Sequence, residues 1–398
     1  MHRDDFPLLK NNIIYFDNGA TTLKPFFVID KITDYYQNYS SNIHRGDYDI
    51  AFKTDEAYEN TRDLVQEFIN AKYKEEIVFT SGTTDAINMV SEGFFKNLLE
   101  PNDEILLTTS EHASNVMPWF RLEQDIHCHV KMIDLTDDYH VSLENVKMAI
   151  TPNTKVISLA MITNVIGDLR PIKEICKLAH DNNIFVVVDA AQSIGHMKVD
   201  VQDLDCDFLC FSGHKMYGPT GIGVLYGKIN LLKEIIPPRL GGGMNESFDT
   251  PQTMIFKDIP LRLEAGTPNI AGVIGLGAAI SYINSIGIDN INAKEEQLRN
   301  YLIEKLIKIK HVDIINLDSD SGIVSFNIEN IFSQDVAFYL NKYNICVRAG
   351  NHCAKILKNA INVTNSIRIS LAFYNTESEI DSLIELLEDK NKIMKEMI

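Results

Sequence analysis

Asp207-Phe208-Leu209-Cys210-Phe211-Ser212-Gly213-His214-Lys215-Met216-Tyr217-Gly218-Pro219-Thr220-Gly221-Ile222-Gly223-Val224-Leu225-Tyr226 sets two apolar runs on either side of a polar, glycine-rich loop that holds one lysine. Each run is too short for a helix, and both read as buried strands. Taken alone, Lys215 reads as a solvated loop residue beside a Gly-Pro turn, because most lysines lie at the surface. Other parts of the chain decide whether it is more than that.

Upstream, the same rhythm of apolar strand, loop and amphipathic helix repeats. Strands are expected at 12–17, 77–79, 104–107, 130–133, 156–160 and 184–188, with helices at 54–69 (capped by Thr54), 84–99, 114–124 and 172–182. Such alternation predicts an α/β fold with a mostly parallel sheet covered on both faces. After Tyr226 the pattern changes. A long helix over 269–286 and another from about 296 precede strands at 312–315, 323–328, 345–348 and 366–371, with a helix at 335–343 between them. A last helix opens with the capping box Thr376 and Glu379. This mixture predicts a smaller α+β C-terminal domain.

The chain has 398 residues, more than one core usually holds, and 45% are hydrophobic. A formal charge of -18 argues against nucleic acid or an anionic membrane as partner. No run is long enough to span a bilayer, and Met1-His2-Arg3-Asp4-Asp5-Phe6 lacks the form of a secretory or transit signal. A cytoplasmic setting is expected. The six cysteines are too sparse for a disulfide framework. Cys206 and Cys210 are expected on one face of a strand as small buried hydrophobes, and no metal site is assigned to them or to His127-Cys128-His129.

Ligands of open α/β sheets gather beyond the carboxyl ends of the strands. Thr80-Ser81-Gly82-Thr83-Thr84-Asp85 follows one strand and opens a helix, where free N–H groups and the helix dipole suit a phosphate. The same residues serve equally as a plain helix cap. Another strand ends in Asp189-Ala190-Ala191-Gln192, and the next leads to Lys215. A phosphate seat, a strand-end Asp and a strand-end Lys are the fixtures that pyridoxal phosphate requires.

These residues resemble the fold-type I, class V aminotransferase group, and within it the SufS-type (group II) cysteine desulfurases. The resemblance runs through Tyr15-Phe16-Asp17-Asn18-Gly19-Ala20-Thr21-Thr22, Asn42-Ile43-His44-Arg45-Gly46, Gly82-Thr83-Thr84-Asp85, Glu111-His112, Asp189-Ala190-Ala191-Gln192 and the Lys215 loop. It continues through Glu264-Ala265-Gly266-Thr267-Pro268-Asn269 to Arg348-Ala349-Gly350-Asn351-His352-Cys353-Ala354. It implies a seven-stranded-type, mostly parallel sheet in a large domain at 21–285. A segment at 1–20 is expected to pack on a small domain at 286–398. It further implies Lys215 as the Schiff-base lysine, Asp189 as partner of the pyridine nitrogen and His112 stacked on the ring. Asn164 and Gln192 are expected at the ring hydroxyl, with Thr83, Thr84, Ser212 and His214 around the phosphate. Thr267 is expected to reach the phosphate of a neighbouring subunit, hence a homodimer. Arg368, with Arg348 and Asn164, is expected to hold the substrate carboxylate, for which a guanidinium fork suits.

Cys353 sets the reaction that the resemblance implies. Arg348 and His352 lie near it in sequence, and nearby cations favour a thiolate. The implied activity converts L-cysteine to L-alanine, leaves a persulfide on Cys353 and passes the sulfur to a SufE- or SufU-like acceptor protein for iron–sulfur cluster assembly. Two stretches depart from the family. Asn351 stands where a first histidine is usual, and Gly241-Gly242-Gly243-Met244-Asn245 differs after the methionine. A selenocysteine lyase, another class V enzyme and a catalytically silent scaffold of a sulfur-transfer complex remain as alternatives.

Overall fold

The computed structural model describes residues 2–44 and 46–396, so Arg45 of the Asn42–Gly46 motif lies outside it. The first strands are β1 (Ile14–Tyr15), β2 (Ile77–Thr80), β3 (Glu104–Thr108), β4 (His129–Ile133) and β5 (Thr154–Ala160). Next come β6 (Phe185–Asp189), β7 (Phe208–Ser212), β8 (Gly223–Gly227), β9 (Asn245–Ser247) and β10 (Ile255–Phe256). The C-terminal part adds β11 (Val312–Ile314), β12 (Ile323–Ile328), β13 (Ile345–Cys346), β14 (Arg348–Gly350) and β15 (Ser366–Ser370).

Side chains alternate across a strand, so a strand buried on both faces must be apolar throughout. In β6, Val186 and Val188 enter one core while Val187 enters the other; in β7, Leu209 and Phe211 oppose Phe208 and Cys210 in the same way. The resulting seven-stranded sheet has the order β2-β8-β7-β6-β5-β3-β4. Neighbours are parallel except β8, which runs against both β2 and β7. This is the mostly parallel α/β sheet that the sequence predicts. Helix Ile270–Ile286 is buried nearly all round, which explains why its apolar residues show no single stripe.

A four-stranded antiparallel sheet, β11-β12-β15-β14, carries its own core against helices Ile288–Leu306 and Glu377–Glu388. The N-terminal segment joins it: β1 pairs in parallel with β13, and Asp17 bridges Ser370. The same segment then crosses to the lysine loop. Thr21 Oγ1, Thr22 Oγ1 and Thr22 N donate to the His214 carbonyl at 3.0, 3.1 and 3.0 Å.

Several boundaries differ from the sequence reading. The helix expected from Thr54 starts at Asp49, and Thr54 is no cap: its hydroxyl lies inside the helix, within 2.8 Å of Ile50 O and 2.7 Å of Tyr39 O. The helix expected over 84–99 is interrupted by a π turn at Ser91–Phe95. The strand expected over 345–348 divides into β13 and β14, which pair with different partners. Cys206 and Cys210 do not share a face. Cys206 precedes β7, where strand alternation does not yet apply, and packs in the opposite core layer from Cys210. Helix Phe26–Asn38, with Val28, Ile32 and Tyr35 at helical spacing, and the β9–β10 hairpin are not among the expected elements. The Thr376–Glu379 capping box forms as read, with Glu379 N donating to Thr376 Oγ1 and Thr376 N to Glu379 Oε2.

Gly223 is where β8 meets the ends of β2 and β7, opposite Thr80 and Ser212. A Cβ there would lie 2.5 Å from Gly82 Cα and 2.5 Å from the Phe211 carbonyl oxygen, both backbone atoms that cannot swing aside. Gly223→Ala is therefore expected to destabilise the protein by about 1–3 kcal/mol through overpacking, read as a lower urea midpoint at unchanged slope.

Candidate active site

Because both faces of the large sheet are buried, polar groups collect at its carboxyl edge. A cavity of about 160 Å³ opens there, and every expected site residue lines it except Cys353 and Thr267. A larger cavity of about 570 Å³ lies beyond Gly19 and Gln192, which line both. It has no lysine–aspartate pair at a strand end, whereas the smaller one holds Asp189 and Lys215.

β6 delivers Asp189 and β7 delivers Lys215. Asp189 is buried, and its Oδ1 accepts from Ala191 N at 2.9 Å. Burial pushes its carboxyl up to about 6, against the pull of Lys215. Burial likewise pushes Lys215 down to about 8, an effect that Asp189 opposes and Arg368 and Arg348 reinforce. Lys215 makes no ion pair among the described residues. His112 follows β3, and its Nδ1 accepts from Ser114 N at 3.1 Å, so the backbone satisfies one side of the ring while the other side faces the cavity. Burial, then Lys215 and the two arginines, hold His112 neutral, at about 4. His214 is held at about 4 by burial, Lys215 and Lys24.

The phosphate reading of the first helical turn has a physical basis. Gly82, at a φ of 151°, opens helix Thr83–Val90. Thr83 N donates to Ser212 Oγ at 2.8 Å and Ala86 N to the Gly82 carbonyl, while Thr84 N and Asp85 N have no protein acceptor among the described residues. Ser212 Oγ also contacts Thr83 Oγ1 at 2.7 Å, and Thr84 Oγ1 contacts Ser114 Oγ at 2.7 Å. Asp85 itself is engaged elsewhere: it caps Ser81 and pairs with Arg239.

Opposite this seat, Arg348 and Arg368 are direct neighbours across β14 and β15. Arg368 is 2% exposed; Nη2 meets Asp17 Oδ1 at 3.0 Å and Nη1 donates to the Asn164 carbonyl at 3.0 Å, leaving Nε buried without a partner. Arg368 has the one carboxylate, Asp17, and Arg348 forms no ion pair among the described residues, which leaves room for an anionic ligand. Asn164 Nδ2 donates to the His352 carbonyl at 2.6 Å, and its Oδ1 is buried and unpartnered. Gln192 Nε2 is taken by the Gly19 carbonyl at 2.9 Å, so only its oxygen end is left for a ligand. These orphaned and half-used groups, the free amides and the unpaired lysine fit pyridoxal phosphate with an amino acid's carboxylate beside it.

Cys353 lies on an exposed turn, with its carbonyl accepting from Ala113 N at 2.8 Å, next to His112. His352 is not the cation expected beside it. The ring is buried, with Nε2 against Ser366 Oγ and O at 3.0 and 3.1 Å, and burial with Arg368 pushes it down to about 3. Thr267 stands apart from the cavity, where its Oγ1 accepts from Asn42 Nδ2 at 3.3 Å.

Sequence reasoning missed a buried network under His112. Arg170 and Glu111 are an ion pair, and Arg170 also reaches Thr108 Oγ1 at 2.9 Å, Ser110 Oγ at 2.7 Å and Asp168 Oδ2 at 3.3 Å. Glu111 Oε2 accepts from Asn115 Nδ2 and Ala160 N, both at 2.8 Å. A lone arginine after an apolar run carries no local sign of burial. Gly19 and Ser114, which also line the cavity, gave no sign either.

The family model for class-V aminotransferases matches residues 14–383. A probable cysteine desulfurase of Halalkalibacterium halodurans is 41% identical over 388 residues, covering 96% of this chain and 95% of that protein. A cysteine desulfurase of Serratia proteamaculans is 38% identical over 397 residues, covering 98% of each. Among solved structures, the apo cysteine desulfurase of Thermococcus onnurineus NA1 superposes with a TM-score of 0.93 at 37% identity, covering 99% of this chain and 97% of that one. The cysteine desulfurase CsdA of Escherichia coli, in an S-sulfonic acid form, gives 0.93 at 34% identity, covering 100% and 98%.

A lysine whose folded-state value lies below its unfolded one destabilises the fold while protonated in the unfolded chain, and this penalty fades as pH rises from about 8 to 10.5. Lys215→Met is therefore expected to stabilise the cofactor-stripped protein at pH 7, by roughly 1–3 kcal/mol since solvent reaches the cavity, and by less at pH 10. Urea unfolding at the two pH values checks this.

Proposed function

The chain belongs to the class-V aminotransferase family, and from that premise we propose that it is a pyridoxal-phosphate-dependent cysteine desulfurase using Lys215 and Cys353. The observation that carries this reading is the placing of an exposed Cys353 on a loop bonded to the two loops that put His112 and Asn164 into the Lys215 cavity. An aminotransferase has no use for such a thiol.

Pyridoxal phosphate, when bound, supplies an electron sink for bonds at the substrate's Cα. Thr83, Thr84, Ser212 and His214 would hold its phosphate, Asp189 its pyridine nitrogen, Gln192 and Asn164 its hydroxyl, and Lys215 its aldehyde carbon. His112, neutral at working pH, would face the ring without adding charge. Arg368, with Arg348, grips the carboxylate of L-cysteine. Lys215 Nζ takes the Cα proton; burial, which lowers its affinity for a proton, favours the neutral amine that a base requires. Cys353 Sγ, having given up its proton, then forms a bond to the substrate sulfur as the bond from that sulfur to Cβ breaks. The electron pair stays with the carbon skeleton, Cβ takes the proton that the Cys353 thiol gave up, Lys215 returns its proton to Cα, and alanine leaves. The net change is thiol plus cysteine to persulfide plus alanine.

In this reading residues 1–20 pack on a small domain at 286–398, and 21–285 form the cofactor-binding domain. The acceptor is a SufE- or SufU-like protein that takes the sulfur toward iron–sulfur cluster assembly. The enzyme is a cytoplasmic homodimer in which Thr267 completes the partner's phosphate seat. The separation of Thr267 from the cavity of its own chain supports that last point. Among the described residues no single helix is long and apolar enough to cross a membrane.

Incubation with L-cysteine under non-reducing conditions is expected to add one sulfur to the Cys353 peptide by mass spectrometry. Absence of that adduct overturns the reading. Cys353→Ala should lose sulfide production while keeping the absorbance of bound cofactor. Arg368→Lys should raise KM for L-cysteine by about ten-fold or more, since a point charge cannot replace a bidentate fork.

A further inference from the structure

The turn that presents Cys353 has an unusual backbone. Gly350, His352 and Cys353 have φ values of 130°, 52° and 59°. His352 and Cys353 are not glycine, and a left-handed pair of this kind persists only where surrounding contacts impose it. From inside the turn, Asn351 supplies part of the restraint: Cys353 N donates to its Oδ1 at 3.2 Å and Ala354 N to its carbonyl at 2.8 Å. That is an Asx-type turn, a use for asparagine at this position.

The rest comes from across the cavity. The His352 carbonyl accepts from Asn164 Nδ2 at 2.6 Å, and the Cys353 carbonyl accepts from Ala113 N at 2.8 Å. A carbonyl can only accept, so the amide of Asn164 has one possible orientation, NH₂ toward the turn and Oδ1 the other way. Asn164 is 5% exposed, and its main-chain carbonyl is fixed by Arg368 Nη1 at 3.0 Å. One short side chain therefore joins the wall of the cavity to the peptide immediately before Cys353.

We propose that Asn164 is the positioning residue for Cys353, holding the cysteine turn in its left-handed form through the His352 carbonyl, in addition to any contact it makes with cofactor or substrate. This rests on Cys353 being the sulfur acceptor, but the two claims are read separately. Hydrogen exchange of the turn involves no sulfur chemistry, and the mass-spectrometric adduct involves no exchange.

The test compares the full-length holoenzyme with Asn164→Ser, which loses the reach, and Asn164→Asp, which keeps the size but faces the carbonyl with an acceptor. Amide exchange in a peptide covering 351–357 is expected to rise about ten-fold in the Ser variant, as for the loss of one buried hydrogen bond, and further in the Asp variant. In D₂O, persulfide formation should fall at least about ten-fold more than the exchange of the substrate's Cα proton, which reports Lys215 and not Cys353. A structural defect spread over the fold would instead raise exchange in β6 and β7 as well, and that result overturns the proposal. So does unchanged exchange at 351–357 in both variants, or an equal fall in the two rates, which would leave Asn164 as a cofactor or substrate contact alone.

Discussion

Burial of the large sheet on both faces is the constraint from which the rest of the site follows. With Val186 and Val188 packed one way and Val187 the other, no charged group can project from the middle of β6. Charged and hydroxyl groups are confined to the strand ends, and at one edge the ends supply Thr80, Thr108, Asp189 and Ser212. β8 runs the other way, so its first residue, Gly223, falls at that same edge between Thr80 and Ser212. The close approach there brings the Gly82 turn against Ser212 and so builds the proposed phosphate seat from two strands that are not adjacent.

The cavity also inverts the electrostatics of the chain. The protein carries a formal charge of -18, yet Lys215, Arg348 and Arg368 converge on a space lined by one carboxylate, Asp189, with Asp17 paired to Arg368. Burial works against each charged group: it lowers Lys215, raises Asp189 and lowers Arg368. Such an arrangement is unfavourable without anionic ligands, and a phosphate and a carboxylate would offset it. The residues that make the fold less stable are those that make it reactive.

The N-terminal segment ties the two halves of this site. Asp17 is at the Arg368 guanidinium and bridges β15, while Thr21 and Thr22, four and five residues on, hold the carbonyl that precedes Lys215. A shift of the small sheet is thereby felt at the lysine loop. The Cys353 turn is tied from the opposite side, through Asn164 and Ala113, so that Arg368, Lys215 and Cys353 are held by bonds between distant segments.

The sequence by itself determined the sheet, because period-two burial and run length are local properties, and β2 to β8 lie where the apolar runs put them. It also determined Asp189 and Lys215 as strand-end residues, since a strand fixes where its last side chain falls. Their meaning as a pair came with the family motif, and the same holds for Cys353, whose local signal was that of an ordinary loop thiol. What only the tertiary structure decided are contacts between residues far apart in the chain. Arg368 meets Asp17 across 351 positions, Asn164 meets His352 across 188, and His352 proves to be buried against Ser366 and neutral instead of a cation for the thiol. The start of the helix at Asp49 and the burial of Arg170 belong here too. In each case the side chain is polar and its neighbours in sequence say nothing of its depth; burial is a property of packing, and packing decides which polar groups find partners and which are left for a ligand.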